Sequence, residues 1–312
     1  LLLEKGYAVT GVTLDEVTSE NENLTYIKAD AKDISFLKGQ LEKKFDAVYD
    51  FMVYNRVEDF EKYYKLFLKN TKHYIFFSTY RVYADDSPLS ETAKRLHDIK
   101  KPDDFVTELE YSIYKAEEED LLNNSPYNNY TIVRPAITYS KRRFQLTILE
   151  ANVLVYRMLT GKTVVLPESA MDKQATMSWA GDVAKMLSGI LFNEKAFRET
   201  YNVSTAEHHT WREIAEIYKE LGNLKYITVD DETFLNITAK GATYAVQQLK
   251  YDRCFDRIVD NSKILSLCNM KKSELTSLKE GLKKELTGVT VETVGRNKDI
   301  NERMDKFLET YL

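Results

Sequence analysis

Short runs of β-branched and aromatic residues alternate along the first half of the chain with longer stretches whose apolar positions recur at helical spacing. Tyr7 to Leu14, Leu24 to Asp33, Phe45 to Val53, His73 to Thr79 and Tyr130 to Pro135 read as strands, the second closing on acidic residues. Ile34 to Lys44 and Arg56 to Lys69 read as helices, and a further helix carries Tyr111 and Lys115. This alternation predicts an α/β protein with a parallel sheet and helices on both faces. Right-handed crossovers would gather the carboxyl ends of the strands along one edge, where ligands bind. Leu1 to Gly6 reads as the last turns of a helix closed by a glycine. The sequence is therefore expected to start inside a strand–helix–strand unit and to lack its N-terminal part.

Beyond Ser140 the alternation loosens. Leu146 to Thr160 reads as a helix stopped by Gly161, Thr163 to Pro167 as an apolar segment, and Ala180 as the start of another helix. Tyr201 to Ser204 reads as a short strand, and Thr210-Trp-Arg-Glu213 as a capping box opening a helix. A strand near Tyr226 to Val229 leads into Asp230 to Ile237, and Asp260-Asn-Ser-Lys263 opens one more helix.

A content of 43% hydrophobic and 30% charged residues over 312 positions fits a globular chain of one large or two closely joined domains. No apolar stretch is long enough to span a bilayer, so a cytoplasmic protein without a membrane partner is expected. The net charge of −5 offers nucleic acid no general attraction. Cys254 and Cys268 lack metal-ligand spacing, and His208-His209 stands before a helix without a third ligand. Reduced thiols, capping or surface histidines and no metal site are the expectation.

The candidate chemistry lies in Tyr111-Ser-Ile-Tyr-Lys115, whose Tyr and Lys share one helix face at i and i+4. A phenol beside a fixed ammonium is an acid/base device, because the positive charge favours the phenolate. Alone, the spacing more often describes a surface helix with an aromatic residue and a solvated lysine. Its weight comes from the motifs around it. Phe77-Ser-Thr79-Tyr-Arg-Val-Tyr83 precedes the pair, and Val133-Arg134-Pro135-Ala-Ile-Thr-Tyr139 follows. Then come Trp179-Ala-Gly-Asp182-Val-Ala, Tyr201-Asn-Val-Ser204 and Asp260-Asn-Ser-Lys263. In this order they resemble the extended short-chain dehydrogenase/reductase family, in its NAD-dependent sugar epimerase/dehydratase branch, over about residues 1 to 288.

The resemblance implies a Rossmann-like, doubly wound parallel sheet with a smaller C-terminal α+β substrate domain. Residues 1–140 would form the dinucleotide-binding domain, N-terminally incomplete and rejoined by 176–205. Residues 141–175 and 206–288 would form the substrate domain, and 289–312 a helical tail. It implies an NAD(P)-dependent epimerase or oxidoreductase acting on a nucleotide-linked sugar by transient hydride transfer at a ring hydroxyl. Tyr111 would be the acid/base, Thr79 would hydrogen-bond the reacting oxygen, and Lys115 would hold the nicotinamide ribose. Thr13, Asp30, Ala31, Phe51, Met52, Ser78 and Pro135, with Tyr111 and Lys115, form the implied cofactor set, Asp30 near the adenine. Tyr80, Arg81, Tyr139, Lys173, Arg253 and Arg257 form the implied substrate set. Family members pair through a face that includes the Tyr-x-x-x-Lys helix, which implies a homodimer.

The chain also departs from the family pattern. The first strand and the Gly-x-x-Gly-x-x-Gly turn are not in the sequence, which implies either an incomplete gene model or a lost cofactor site. Thr13 stands where an acidic residue would bind the ribose 2′-hydroxyl; Asp15 lies two positions on, and no Arg marks a 2′-phosphate site. NAD is therefore expected, with NADP open. Tyr80-Arg81 replaces the Asp-Glu of the sugar dehydratases, which disfavours elimination of water. Ile137, Ala175 and Trp179 stand where many relatives carry Asn, Arg and His. Lys173, Arg142, Arg143, Arg253 and Arg257 are the candidate replacements for that pyrophosphate clamp, or else solvated surface charges, and a substrate other than a nucleotide sugar is the alternative. Thr79 and Tyr111 are 32 positions apart, a long spacing that suggests a lid. The rivals are a simple carbonyl reductase and a non-catalytic protein of the same fold. Some relatives bind RNA in chloroplasts, and Phe45-Asp-Ala-Val-Tyr-Asp50 is faintly similar to theirs.

Overall fold

The computed structural model describes residues 1–85, 87–108 and 110–311. The first half runs β1 (Val9–Thr13), β2 (Leu24–Lys28), α1 (Ile34–Leu41), β3 (Ala47–Asp50), α2 (Val57–Asn70), β4 (His73–Phe77), α3 (Tyr111–Asn123) and β5 (Tyr130–Val133). Strand β12 (Glu199–Tyr201) returns to this half, giving a parallel sheet of order β12-β5-β4-β3. Strands β1 and β2 form a separate parallel pair, with Val9 opposite Leu24 and Thr13 opposite Lys28.

Strand β4 shows why the sheet is covered on both faces. Its side chains alternate, and all but Phe77 are buried. Tyr74 and Phe76 point into one core with Phe60, Tyr64 and Phe67 of α2 and Leu37 and Leu41 of α1. Ile75 points the other way, into a core with Val183, Met186, Leu187 and Ile190 of α5 (Ala180–Ile190) and Ile264 and Leu265 of α9 (Ser262–Cys268). His73 is buried with both ring nitrogens engaged: Nδ1 accepts from the Phe192 N–H at 3.1 Å, and Nε2 lies 2.9 Å from Thr131 Oγ1. Because Thr131 gives its own proton to the Ala196 carbonyl, Nε2 must be the donor and the ring is neutral. Burial pushes its pKa down to about 4.

Between β5 and β12 lie β6 (Ile137–Tyr139), the hairpin β7 (Gln145–Leu146) and β8 (Leu149–Glu150), α4 (Ala151–Leu159), β9 (Thr163–Pro167), β10 (Gln174–Ala175) and β11 (Met177–Trp179), ahead of α5. After β12 come β13 (His209–Thr210), α6 (Trp211–Gly222), β14 (Lys225–Val229), α7 (Asp231–Ala239), α8 (Thr243–Gln248), α9, α10 (Leu278–Leu286), α11 (Val291–Val294) and α12 (Lys298–Tyr311). Parallel pairs β6–β11 and β9–β14 organise this half. The capping box at Thr210 and Glu213 forms as the sequence indicates. Met304 and Leu308 of α12 enter the large core beside Leu154 and Phe234, and Arg157 pairs with Asp305 at 2.8 Å. No helix among the described residues is long and apolar enough to cross a membrane.

Three local expectations are corrected. The helix expected from Leu146 starts only at Ala151, because Gln145–Glu150 folds back as a hairpin around Thr147 at φ +53°. Leu1 to Gly6 forms hydrogen-bonded turns that end at Gly6 with φ +81°, a conformation glycine adopts without strain. The strand expected at Tyr201–Ser204 lies two residues earlier, in register with Thr131–Val133.

Candidate active site

Three chain segments meet at the carboxyl edge of the sheet. After β4 the chain turns through a short 3₁₀ segment, Tyr80–Val82, capped by Thr79, whose Oγ1 accepts the Arg81 N–H at 3.2 Å. This turn packs on the start of α3, and the Tyr80 N–H donates to the Pro135 carbonyl beyond β5 at 3.1 Å. Ser78 donates its N–H to the Val133 carbonyl at 2.9 Å and is buried with Thr79. Tyr111 is the first residue of α3 and is half-buried, so its side chain stands at the edge itself.

The environment of Tyr111 is more cationic than the sequence alone suggests. The Arg81 guanidinium lies over its ring, 5.3 Å from the centroid, and is held there by Glu110 at 3.0 Å and Asp252 at 3.5 Å. Tyr114 packs edge-on at 5.4 Å. One turn further, Lys115 is directed inward. It is 1% exposed, its Nζ lies 2.9 Å from Glu118 and 4.5 Å from the centre of the Phe76 ring. Glu118 is fully buried; burial, only partly offset by Lys115, pushes its carboxyl up to about 7. Behind it Asp50 accepts from Tyr74 Oη at 2.7 Å, Tyr54 Oη at 3.1 Å and the Met52 N–H at 3.0 Å. Burial raises the Asp50 carboxyl as well, against those hydrogen bonds.

A second buried network fixes the frame. Arg134 grips Glu119 with Nε at 2.8 Å and a second nitrogen at 2.5 Å, and donates to Tyr83 Oη at 2.9 Å. Tyr83 in turn donates to Asn202 at 2.7 Å. Burial disfavours the Glu119 charge, but Arg134 and Arg95 outweigh it and hold the carboxyl below its usual range. The Arg-Pro turn, α3 and the end of β12 are thereby tied to the Thr79 turn.

On the side expected to hold a dinucleotide, Asp30 caps its own turn through the Lys32 N–H at 2.8 Å, and Lys32 Nζ donates to the Val53 carbonyl at 2.6 Å. Thr13 Oγ1 accepts the Asp15 N–H at 3.1 Å. Ala31, Phe51 and Met52 border a cavity of about 830 Å³ that separates β1 from β3. Large apolar side chains stand uncovered at these strand ends: Leu14 is 72% exposed, Phe51 65% and Val53 41%. Such a platform fits the flat rings at the two ends of a dinucleotide. The described residues supply no glycine-rich turn to cradle a pyrophosphate.

The substrate side differs from expectation in its arginines. Arg253 and Arg257 are buried rather than solvated, and both pair with Asp252. Arg257 has every donor nitrogen engaged, with Asp252 at 3.0 Å and the carbonyls of Tyr83, Ala84 and Tyr251. Its guanidinium is buried among these acceptors. Arg253 donates to the Thr147 carbonyl at 2.8 Å and to Tyr80 Oη at 3.0 Å. Tyr139 is buried with its hydroxyl against Gly281, again a packing position. Lys173 is half-buried, and Arg142 and Arg143 are exposed. The long segment between Thr79 and Tyr111 is stitched down, with Leu89 and Leu96 buried and Leu89 bonded to Ile258 and Asp260. Residues 87–99 are thus not a free lid; Asp86 and Leu109, in the same expected lid, lie outside the described residues.

Sequence reasoning assigned no role to Glu118, Glu119, Asp50 and Asp252. A signal existed for the first two. Four consecutive acids, Glu117 to Asp120, sweep most of the way round a helix, so a helix packed on a sheet must bury some of them. Elsewhere His97, Asp98 and Asp120 bring ligand atoms within 4.8 Å of one another, but Arg95 bridges both carboxylates.

No family model matches the chain. Its fold is that of sugar epimerases of known structure. It superposes on the epimerase Mth375 of Methanothermobacter thermautotrophicus with a TM-score of 0.67 and 14% identity, over 99% of this chain and 88% of that one. The UDP-glucuronic acid 4-epimerase of Bacillus cereus, in complex with UDP-glucuronic acid and NAD, matches with a TM-score of 0.65 and 16% identity over 93% of each chain. The UDP-glucose 4-epimerase of Thermus thermophilus, bound to NAD, gives 0.65 and 17% identity over 93% of this chain and 94% of that one. In sequence, the chain is 25% identical over 203 residues to the chloroplast stem-loop binding protein of 41 kDa b of Arabidopsis thaliana. That match takes in 65% of this chain and spans about half, 50%, of that protein's length.

Proposed function

We propose that the chain is an NAD(P)-dependent epimerase or oxidoreductase acting on a sugar, nucleotide-linked, through transient oxidation of a ring hydroxyl. The observation that supports it is the placing of Tyr111 at the first position of α3, beside the Thr79 turn, under Arg81 and one turn from Lys115. In this reading Tyr111 takes the proton of the substrate hydroxyl and returns it, and Thr79 Oγ1 fixes that oxygen at bonding distance from the phenol. Lys115 and Ser78 hold the ribose and carboxamide end of the cofactor, Phe51 and Met52 its apolar faces, and Asp30 the adenosine end. NAD, when bound, would supply a reversible hydride acceptor for that carbon. Arg81 and Tyr80 border the sugar, and Lys173, Arg142 and Arg143 are the cations free to meet a diphosphate.

The test is a fluorescence titration with NADH followed by a nucleotide-sugar screen for interconversion. Tyr111→Phe should retain NADH binding and lose turnover by about 10²–10⁴-fold. An unaltered rate in that variant would remove Tyr111 from the chemistry. Net consumption of NAD(P)H in each cycle would favour a simple carbonyl reductase, because an epimerase returns its hydride. The sequence similarity to a stem-loop binding protein supports a second reading, in which the same fold binds RNA. That reading requires RNA affinity that falls steeply with added salt and no dependence on Tyr111.

A further inference from the structure

We infer that Glu118 is a positioning residue for the cofactor half of the site: it holds the Lys115 ammonium inside the α3–sheet interface, and cofactor binding draws that ammonium away from it toward the carboxyl edge. The inference rests on the proposed dinucleotide site and goes beyond it by assigning a competitor for its lysine.

The geometry of the pair carries the argument. Lys115 and Glu118 are 1% and 0% exposed and meet at 2.9 Å. Yet beyond that contact neither Glu118 oxygen nor Lys115 Nζ has a hydrogen-bond partner among the described residues. Two charges withdrawn from water with only their mutual attraction make a poor stabilising device; an apolar pair of the same volume is typically as good or better. Lysine and glutamate are seldom fully buried without a complete set of partners. The neighbouring carboxylate does not supply the deficit, since Asp50 is already engaged by Tyr54, Tyr74 and the Met52 N–H. The ammonium therefore sits in a site that grips it incompletely, one helical turn from Tyr111.

The groups facing Glu118 determine what protons do there. Lys115, Glu119 and Tyr114 lie on α3, Asp50 ends β3, Tyr54 follows it, and Tyr74 comes from β4. From α2, Phe60 and Tyr63 close over Tyr54 at 5.3 and 4.8 Å. Burial, then Asp50 and Glu119, raise the Glu118 carboxyl to about 7 while Lys115 opposes them. Near neutral pH, Glu118 is thus poised between a charged form that retains Lys115 and a protonated form that releases it. A ligand that takes Lys115 leaves Glu118 alone in the interior, and Glu118 then binds a proton. Cofactor binding should accordingly take up a proton above pH 7.

The experiment compares the 312-residue chain with Glu118→Gln, measuring NADH affinity by fluorescence and thermal midpoint between pH 5.5 and 8.5. The expected result is an NADH Kd that weakens up to tenfold per pH unit above about 7 in the parent and stays level in the variant. The midpoint gap between the two proteins should widen in the variant's favour up to about pH 7 and then level off. A raised carboxyl pKa stabilises the fold below the ordinary value and is lost as pH rises through the folded one. NADH binding with the same pH slope in both proteins would overturn the inference and leave the proposed function standing. No NADH binding by either protein at any pH would overturn the inference for this chain, with the midpoint gap then showing a purely structural pair.

Discussion

Removing Arg134 should be among the most damaging single changes to this fold. Its guanidinium makes two contacts to the fully buried Glu119 carboxylate, at 2.8 and 2.5 Å, and one to Tyr83 at 2.9 Å. Charge-assisted hydrogen bonds contribute about 1.5–3 kcal/mol each, but the larger effect is the carboxylate left behind. Breaking a buried ion pair from one side costs roughly 3–5 kcal/mol. Arg95, 3.3 Å from the same carboxylate, partly compensates, so Arg134→Met should lie near the lower end, about 3 kcal/mol. Glu119→Leu combined with Arg134→Met removes both charges and should recover most of that loss. The assay is urea unfolding with slopes held equal, completing a double-mutant cycle. An exposed pair at similar distance, Lys65 and Glu61 at 2.7 Å, is the control, and Glu61→Ala should cost under about 1 kcal/mol. Acid should mimic the lesion: the folded Glu119 carboxyl lies below its ordinary 4.5, so its contribution is present above 4.5 and lost as pH falls below it. A loss of less than about 1 kcal/mol in Arg134→Met, equal to the surface control, would refute the reasoning.

Other outcomes follow from single sites. His73 titrates at about 4 in the fold against 6.5 ordinarily, so its contribution is complete above 6.5 and drains away as pH falls toward 4. His73→Asn should flatten the unfolding free energy across that window by up to ~1.4 kcal/mol per pH unit. At Gly281 an added Cβ would collide with Tyr139 Oη, so Gly281→Ala should destabilise by ~1–3 kcal/mol and Tyr139→Phe should restore part of it. Phe76→Ala should cost ~3–5 kcal/mol in unfolding experiments and loosen Lys115, whose ammonium rests on that ring.

What the sequence made legible was local and periodic. Tyr74 and Phe76 against Ile75 announce a strand covered on both faces, and the core clusters divide those residues accordingly. The capping box at Thr210 is written in four consecutive residues. The hairpin at Gln145–Glu150 was hidden for a physical reason: its turn rests on Thr147 at φ +53°, with no Gly or Asn to mark it, and its leucines fit helical spacing equally well. The segment Tyr251–Arg257 looked like charged surface because composition counts charges without pairing them. Its partners, Tyr80, Tyr83 and Thr147, lie over a hundred positions away, and only the fold brings them in. Glu118 was concealed among four acids whose division between water and interior depends on where the helix docks.

The cavity between β1 and β3 has a thermodynamic consequence. The β1–β2 ribbon pairs only with itself among the described residues, and two strands alone are marginally stable in water. A few tethers hold it to the body: Lys5 to Ser188 at 3.0 Å, the Tyr7 ring on Phe192 at 5.9 Å, and Lys32 to the Val53 carbonyl at 2.6 Å. Amide protons of Val9–Thr13 should therefore exchange with solvent through local opening, well before those of β4 and β5. Any molecule that bridges Asp30 and Phe51 must spend part of its binding free energy closing this ribbon. Its affinity and the ribbon's exchange protection should then rise and fall together, making the ribbon a gauge of what lies between Asp30 and Phe51.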